Sequence, residues 1–169
     1  MQINWFELLL ISVRRPRDGM SRLLDIEFNN TQLFQLSVLA ICLISIFLFC
    51  VVSSFGTLLP NSLDIQENQV NIFSMLQSIK PINIVISGVI SFVARGVALN
   101  YFARLFNGGG NLRQSIMCLA WFDIIHSIGL ALIFIGLWIS PTITIMITLL
   151  GTIWLLWIAV SFISVLHQF

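Results

Sequence analysis

Four long apolar segments, separated by more polar stretches, dominate the pattern of hydrophobic and polar positions along the chain. They cover approximately residues 33–55, 82–106, 116–139 and 142–166. Each has the length of about 20 residues that a helix needs to cross a bilayer, and in lipid every backbone polar group must be bonded internally. None shows the strict alternation of a β-barrel strand. The pattern therefore predicts an all-α polytopic transmembrane helix bundle with four spans.

The residues before the first span predict a short amphipathic helix at the membrane surface. Residues 3–13 combine bulky apolar side chains with polar ones. Trp5 is a residue type that anchors helices at headgroup level, and the ring of Pro16 opposes continuation of the helix. We therefore expect residues 1–30 to form a cytoplasmic interfacial segment and residues 31–169 to form the transmembrane bundle.

The composition restricts the classes of function that the chain can perform. Hydrophobic residues make up 58% of the 169 residues and charged residues only 9%, whereas soluble domains carry about 25% charged residues. Lipid must therefore surround most of the chain. The net charge of +1 creates no field that attracts nucleic acid, and the three cysteines lack metal-ligand spacing. We expect the lipid bilayer as a partner, and no nucleic acid, cofactor or metal.

The distribution of arginine and lysine predicts the orientation in the membrane. With four spans, six arginines fall on the side of the chain termini: Arg14, Arg15, Arg17, Arg22, Arg104 and Arg113. The other side carries only Lys80, in the polar loop of residues 56–80. We expect a cell-membrane protein, and because positive residues favour the cytoplasmic side we predict that both of its termini lie in the cytoplasm. The residues Ser140-Pro141 would then form a tight hairpin on the outside.

Arg95 lies near the middle of the second span, where a charge costs about 2.5–3.5 kcal/mol on insertion scales. Asp123, in the third span, is the only carboxylate in any of the apolar segments. Counted from Arg104 and Ser115 at 1.5 Å per residue, both charges lie about 12–13 Å from the same side of the membrane. We therefore predict that they pair. His126, three residues after Asp123, shares its helix face.

A polar stripe accompanies Arg95 on the second span. Asn83, Ser87, Ser91 and Arg95 recur every four residues, and such stripes are expected to face other helices. The candidate site is therefore an intramembrane polar cluster. Its members are Arg95, Asp123, His126, Ser91 and Ser87.

Two interpretations of this cluster stay open. In the structural one, Arg95 and Asp123 form an ion pair that fixes helix register, with His126 nearby. In the functional one, the cluster lines an aqueous or proton path in which His126 titrates. No nucleophile and base can be placed together, so we predict no catalytic residues and no enzyme activity. The glycine loop of residues 107–112 lacks phosphate-loop spacing, which favours a flexible turn.

The chain resembles the Yip1-domain membrane proteins, especially their small bacterial members. The similarity lies in "SVRRPRDGMSRLL" before the first span, "RLFNGGGNLRQS" in the glycine loop, "CLAW" opening the third span, and the hairpin "WISPTI". The closing "FISVLHQF" is similar to the end of the family's fourth span. The resemblance covers nearly the whole chain, although the family usually has five spans and we predict four.

The resemblance implies a multi-pass protein with a cytoplasmic N-terminus, placed in the bacterial inner membrane. Eukaryotic members of the family act in vesicle traffic and associate with prenylated small GTPases and with one another; no GTPase-recognition motif is visible in this chain. The predicted function is a non-enzymatic membrane protein that binds partner membrane proteins, associates with itself or organises the membrane. The alternative is a small transporter or a proton- or ion-conducting subunit that uses Arg95, Asp123 and His126.

Overall fold

Two short helices precede four long ones. The computed structural model describes residues 4–58, 80–105 and 108–167, and all regular secondary structure in these ranges is helical. The helices are α1 (Trp5–Arg14), α2 (Pro16–Leu24), α3 (Asn30–Leu58), α4 (Pro81–Leu105), α5 (Leu112–Ile139) and α6 (Pro141–His167). Most of the predicted outer loop, residues 56–80, lies outside the described residues.

The helices α3 to α6 are each long and apolar enough to cross a membrane. This confirms the predicted all-α bundle with four spans and short helices at the N-terminus. α4 and α6 each begin at a proline, one residue before the apolar segment. α3 and α5 begin three and four residues before it, because polar caps lie outside the hydrophobic runs. At α5, Asn111 and Gln114 each accept a hydrogen bond from the other's backbone N–H, at 2.8 and 3.0 Å. Asn29 and Gln32 form the same reciprocal cap before α3.

The connection between α5 and α6 is as short as its sequence predicts. Ser140 is the C-terminal cap of α5, and its backbone N–H donates to the carbonyl of Gly136 at 3.0 Å. Pro141 is the first residue of α6, where a helix needs no N–H donor. The two spans therefore run antiparallel as a hairpin.

The helix α5 lies at the centre of the bundle. In the most apolar 18-residue stretch of α5, 44% of the residues are buried, whereas the corresponding share is 11–17% in the other three spans. The outer faces of those three spans are available to lipid. It packs against α3, α4 and α6. The main apolar core forms around the half of α5 nearest the chain termini, with Trp121, Ile125, Ile158 and Phe162 all almost fully buried.

The N-terminal helices fold back onto this end of the bundle. Met20 and Leu23 of α2 are completely buried, and α2 packs against α6. The helices α1 and α2 approach so closely at Gly19 that a Cβ there would collide with the Oγ of Ser12 and lie 2.5 Å from its Cα. Trp5 remains 45% exposed. The amphipathic segment is thus both a surface element and a part of the packed core.

Candidate functional site

Arg95 and Asp123 meet across the interface between α4 and α5. Nη1 of Arg95 donates to Oδ1 of Asp123 at 2.8 Å, and Nη2 donates to Oδ2 at 2.8 Å. Parallel bonds of this kind are the strongest geometry available to an arginine and a carboxylate. They arise because the short connection after α4 makes the two helices antiparallel neighbours, and because both residues lie about ten or eleven positions from the helix ends at that connection.

The two partners of this ion pair differ in burial. The side chain of Asp123 is 0% exposed, whereas that of Arg95 is 43% exposed. The carboxylate therefore depends on the guanidinium for its hydrogen bonds, while the guanidinium also faces the outside of the bundle. Removing one partner of such a pair leaves an uncompensated charge, and the cost is greatest when the remaining charge is the buried one.

Some of the N–H donors of the Arg95 guanidinium are left without a hydrogen-bond acceptor among the described residues. Of its five N–H donors, two bind Asp123 and Nε–H donates to the carbonyl of Ser91 at a long 3.4 Å. The two remaining N–H groups have no acceptor among the described residues. Arg95 can therefore donate to a further group from outside the bundle.

His126 stands beside the ion pair without joining its hydrogen bonds. It lies one turn beyond Asp123 on α5 and is half-buried. Its ring packs at 6.2 Å between centroids from Phe122, tilted by 42°. Neither of its ring nitrogens bonds to Arg95 or Asp123 in the described part of the chain. The ring is thus held by packing in this arrangement.

The serines of the polar stripe do not face other helices of this chain, contrary to our expectation. Asn83, Ser87 and Ser91 are all exposed on α4. The hydroxyl of Ser87 donates to the carbonyl of Ile84 in its own helix at 2.9 Å. The reason is that α4 buries only a narrow face, centred on residues such as Phe92, and the stripe lies beside this face rather than on it.

Two contacts outside the ion pair were missed by sequence reasoning. The first is a buried hydrogen bond in which Nε1 of Trp121 donates to Oγ of Ser12 at 2.9 Å, while that hydroxyl donates to the carbonyl of Leu8 at 2.8 Å. Trp121 lies only two residues before Asp123, so this bond ties α1 to the helix that carries the carboxylate. The quoted motifs "SVRRPRDGM" and "CLAW" contain both partners, but nothing in them indicates that they meet.

The second contact missed by sequence reasoning is the packing of His167 against the glycine loop. A Cβ at Gly110 would lie 2.7 Å from Cε1 of His167, and one at Gly108 would lie 2.8 Å from its Nδ1. His167 itself is 3% exposed. Because these glycines lack a Cβ, residues 108–110 can pack closely against the end of α6. The flexible turn between α4 and α5 stays a prediction.

Comparison with known proteins agrees with this architecture of packed apolar helices. The model of the Yip1 domain matches residues 11–169, which is nearly the whole chain. The chain belongs to the Yip1 domain family. Neither a comparison with curated proteins nor one with solved structures gave a match.

The matched region of this Yip1-domain protein contains the entire polar cluster, since α4 and α5 both lie within it. It also includes part of α1, together with Ser12. In the described residues, no group of three or more His, Cys, Asp or Glu side chains is placed to hold a metal ion. The chemistry that the cluster offers is a neutralised charge pair, with unused N–H donors at the surface of a membrane-spanning helix.

Proposed function

We propose that this Yip1-domain protein is a non-enzymatic integral membrane protein that binds partner membrane proteins through one side of α4. We define this side as the α4 polar face, formed by Ser87, Ser91 and Arg95. The proposal includes self-association, in which the partner is a second copy of the chain. The charge pair then has a positioning role, because it holds Arg95 with its unused donors pointing outward.

The exposure of Arg95 is the observation that carries the proposal. Its side chain is 43% exposed, about 13 Å inside the span, where a charge is costly even when it is paired. Lipid tails offer no acceptor for the two unused N–H groups. A partner helix with a carbonyl, hydroxyl or amide oxygen at this height would satisfy them.

The remainder of the α4 polar face fits a helix–helix contact. Ala94 and Ala98 lie on the same side as Ser87 and Ser91, and such small residues let helix backbones approach closely in membranes. The opposite side of α4 carries the exposed and branched Val89, which suits lipid. The helix therefore exposes two chemically different sides, and only one of them needs a protein neighbour.

Placement in the membrane is part of the proposal. The arginines on the side of the chain termini, against Lys80 on the other, support a cytoplasmic location for both ends of the chain. We place the protein in the cell membrane because the chain resembles the small bacterial members of the family. No catalytic role is assigned to any side chain, since the ion pair occupies the only carboxylate within the spans.

Site-specific photo-crosslinking in native membranes tests the proposal. A benzophenone amino acid is introduced at Ser91 and, in a matched control, at Val93, which is two residues away and about 200° around the helix. Val93 is 57% exposed. We expect a discrete protein adduct from position 91 and only lipid adducts from position 93. Identical lipid labelling at both positions would overturn the proposal.

The alternative function, conduction of protons or ions through the cluster, has weaker support from the geometry. Such a path needs a carboxylate or imidazole that exchanges protons with water. Both oxygens of Asp123 accept from Arg95, and the side chain is fully buried. A proton flux through liposomes containing the purified protein, abolished by His126→Ala, would favour the alternative instead.

A further inference from the structure

A groove between α1 and α2 lies outside the polar cluster, and the proposed function does not use it. It is open to the surroundings and has a volume of about 430 Å³, which is within the range of about 300–1,000 Å³ for small-molecule sites. Three arginines line it, Arg14, Arg15 and Arg22, together with the carboxylates of Glu7 and Asp18. The lining is therefore positive overall.

The carboxylates in the groove hold their arginines only weakly. The Arg22–Glu7 pair has a separation of 3.6 Å between Nη1 and Oε1, and both side chains are 60% exposed. The Arg15–Asp18 pair is longer, at 4.0 Å, with side chains 80% and 58% exposed. Exposed ion pairs contribute little to stability, so an incoming anion can compete for both guanidinium groups.

Arg14 provides a third positive charge with no competing carboxylate. It is exposed, and it forms no ion pair with any residue that the structure describes. Guanidinium groups bind phosphate oxygens through two parallel N–H bonds, which makes phosphate a better match for converging arginines than for lysines. A phosphate group in this groove would meet Arg14, Arg15 and Arg22 together.

The apolar side of α1 next to the groove indicates where this phosphate comes from. Phe6 is 71% exposed and Leu10 is 37% exposed, and they lie one turn apart on the same side of the helix. Leu10 also lines the groove. The positive lining thus continues into an exposed apolar strip, as in helices that lie in the headgroup region of a membrane.

We propose that the groove between α1 and α2 binds the phosphate headgroup of an anionic phospholipid. The lipid belongs to the leaflet on the side of the chain termini, since α2 packs against α6 and its Met20 and Leu23 share an apolar core with Leu166 near the end of that helix. Phe6 and Leu10 contact its acyl chains. The inference is independent of the partner surface on α4.

Native mass spectrometry of the full-length protein tests this proposal. The protein in detergent micelles is titrated separately with phosphatidylglycerol and phosphatidylcholine, and with phosphatidylglycerol in the presence of millimolar inorganic phosphate. We expect a saturable adduct with phosphatidylglycerol, much weaker binding of phosphatidylcholine, and little competition from free phosphate. Equal binding of the two lipids, or full displacement by inorganic phosphate, would overturn the lipid assignment.

Substitutions locate the site. Arg14→Gln is expected to weaken phosphatidylglycerol binding about fivefold, because this is the loss of affinity expected when one basic residue is removed from an anionic membrane surface. Arg22→Gln, in the same groove, should act in the same direction. Arg17→Gln is the matched control, because Arg17 is exposed on α2 but does not line the groove. Equal losses from Arg14→Gln and Arg17→Gln would mean diffuse attraction to charge and would contradict a site.

Discussion

Replacing Arg95 by leucine should destabilise the protein more than replacing its partner Asp123 by leucine. Without the guanidinium, a carboxylate that is 0% exposed loses both of its hydrogen bonds. Breaking a buried ion pair in this way costs about 3–5 kcal/mol. Without the carboxylate, the guanidinium remains on a long, flexible side chain that can extend toward the headgroups, whereas the short carboxylate side chain of Asp123 is 0% exposed and cannot leave the bundle. We therefore expect roughly half the cost for Asp123→Leu.

The double variant Arg95→Leu/Asp123→Leu should recover most of the lost stability. Apolar side chains of similar size in place of a buried ion pair are often neutral or stabilising, so the double variant is expected within about 1 kcal/mol of the wild type. The sum of the single costs then exceeds the double cost by several kcal/mol, and this difference measures the coupling between the two residues.

Unfolding in mixed micelles of increasing dodecyl sulfate content measures these free energies, with helical circular dichroism as the signal. Arg104→Leu is the matched control, because Arg104 lies on the same helix and is exposed near its end. A change of about 0.5 kcal/mol or less is expected there. Equal and additive costs for Arg95→Leu and Asp123→Leu would refute the reasoning.

Other predictions concern the N-terminal helices. Gly19→Ala should lower the free energy of unfolding by about 1–3 kcal/mol, because its Cβ would collide with the backbone and side chain of Ser12; Gly151→Ala, where nothing lies within 4 Å, is the control. Trp121→Phe removes the N–H donor to Ser12 and should lower the free energy of unfolding by about 1–3 kcal/mol. Trp138→Phe is the control and should lower it much less, because Trp138 is 70% exposed. Both pairs are compared by the same micelle titration, and equal effects within either pair would contradict these contacts.

The number of spans and their approximate limits could be predicted from the sequence because lipid imposes a simple rule. A helix that crosses a bilayer needs about 20 apolar residues, and loops cannot lie in the hydrocarbon. The exact starts depend on polar caps that hydropathy does not detect. Asn111 and Gln114 cap the N-terminus of α5, so that the helix begins four residues before the apolar run.

The meeting of Arg95 and Asp123 could be anticipated from depth alone, because a short connection places two antiparallel helices in register. The outward direction of the polar stripe could not be anticipated in this way. A repeat of four residues shows that Ser87 and Ser91 share a side of α4, but it does not show which side packs on α3 and α5. That direction depends on long-range packing, such as the burial of Phe92.

The docking of the N-terminal helices was also inaccessible to sequence reasoning. An amphipathic helix has an apolar side whether it binds lipid or protein, so residues 3–13 alone do not distinguish the two surroundings. The hydrogen bond between Ser12 and Trp121 joins residues 109 positions apart. Only the folded chain places that serine against the central helix.

The most direct test of the central claim, that the α4 polar face is covered by protein in the membrane, is the oxygen accessibility of a spin label. The label is attached at Ser91→Cys or Val93→Cys in native membranes, with Cys42, Cys50 and Cys118 replaced by alanine. Both positions are exposed in the single chain. We predict a low collision rate with dissolved oxygen at position 91 and a high, lipid-like rate at position 93. Equally high rates at both positions would contradict the account.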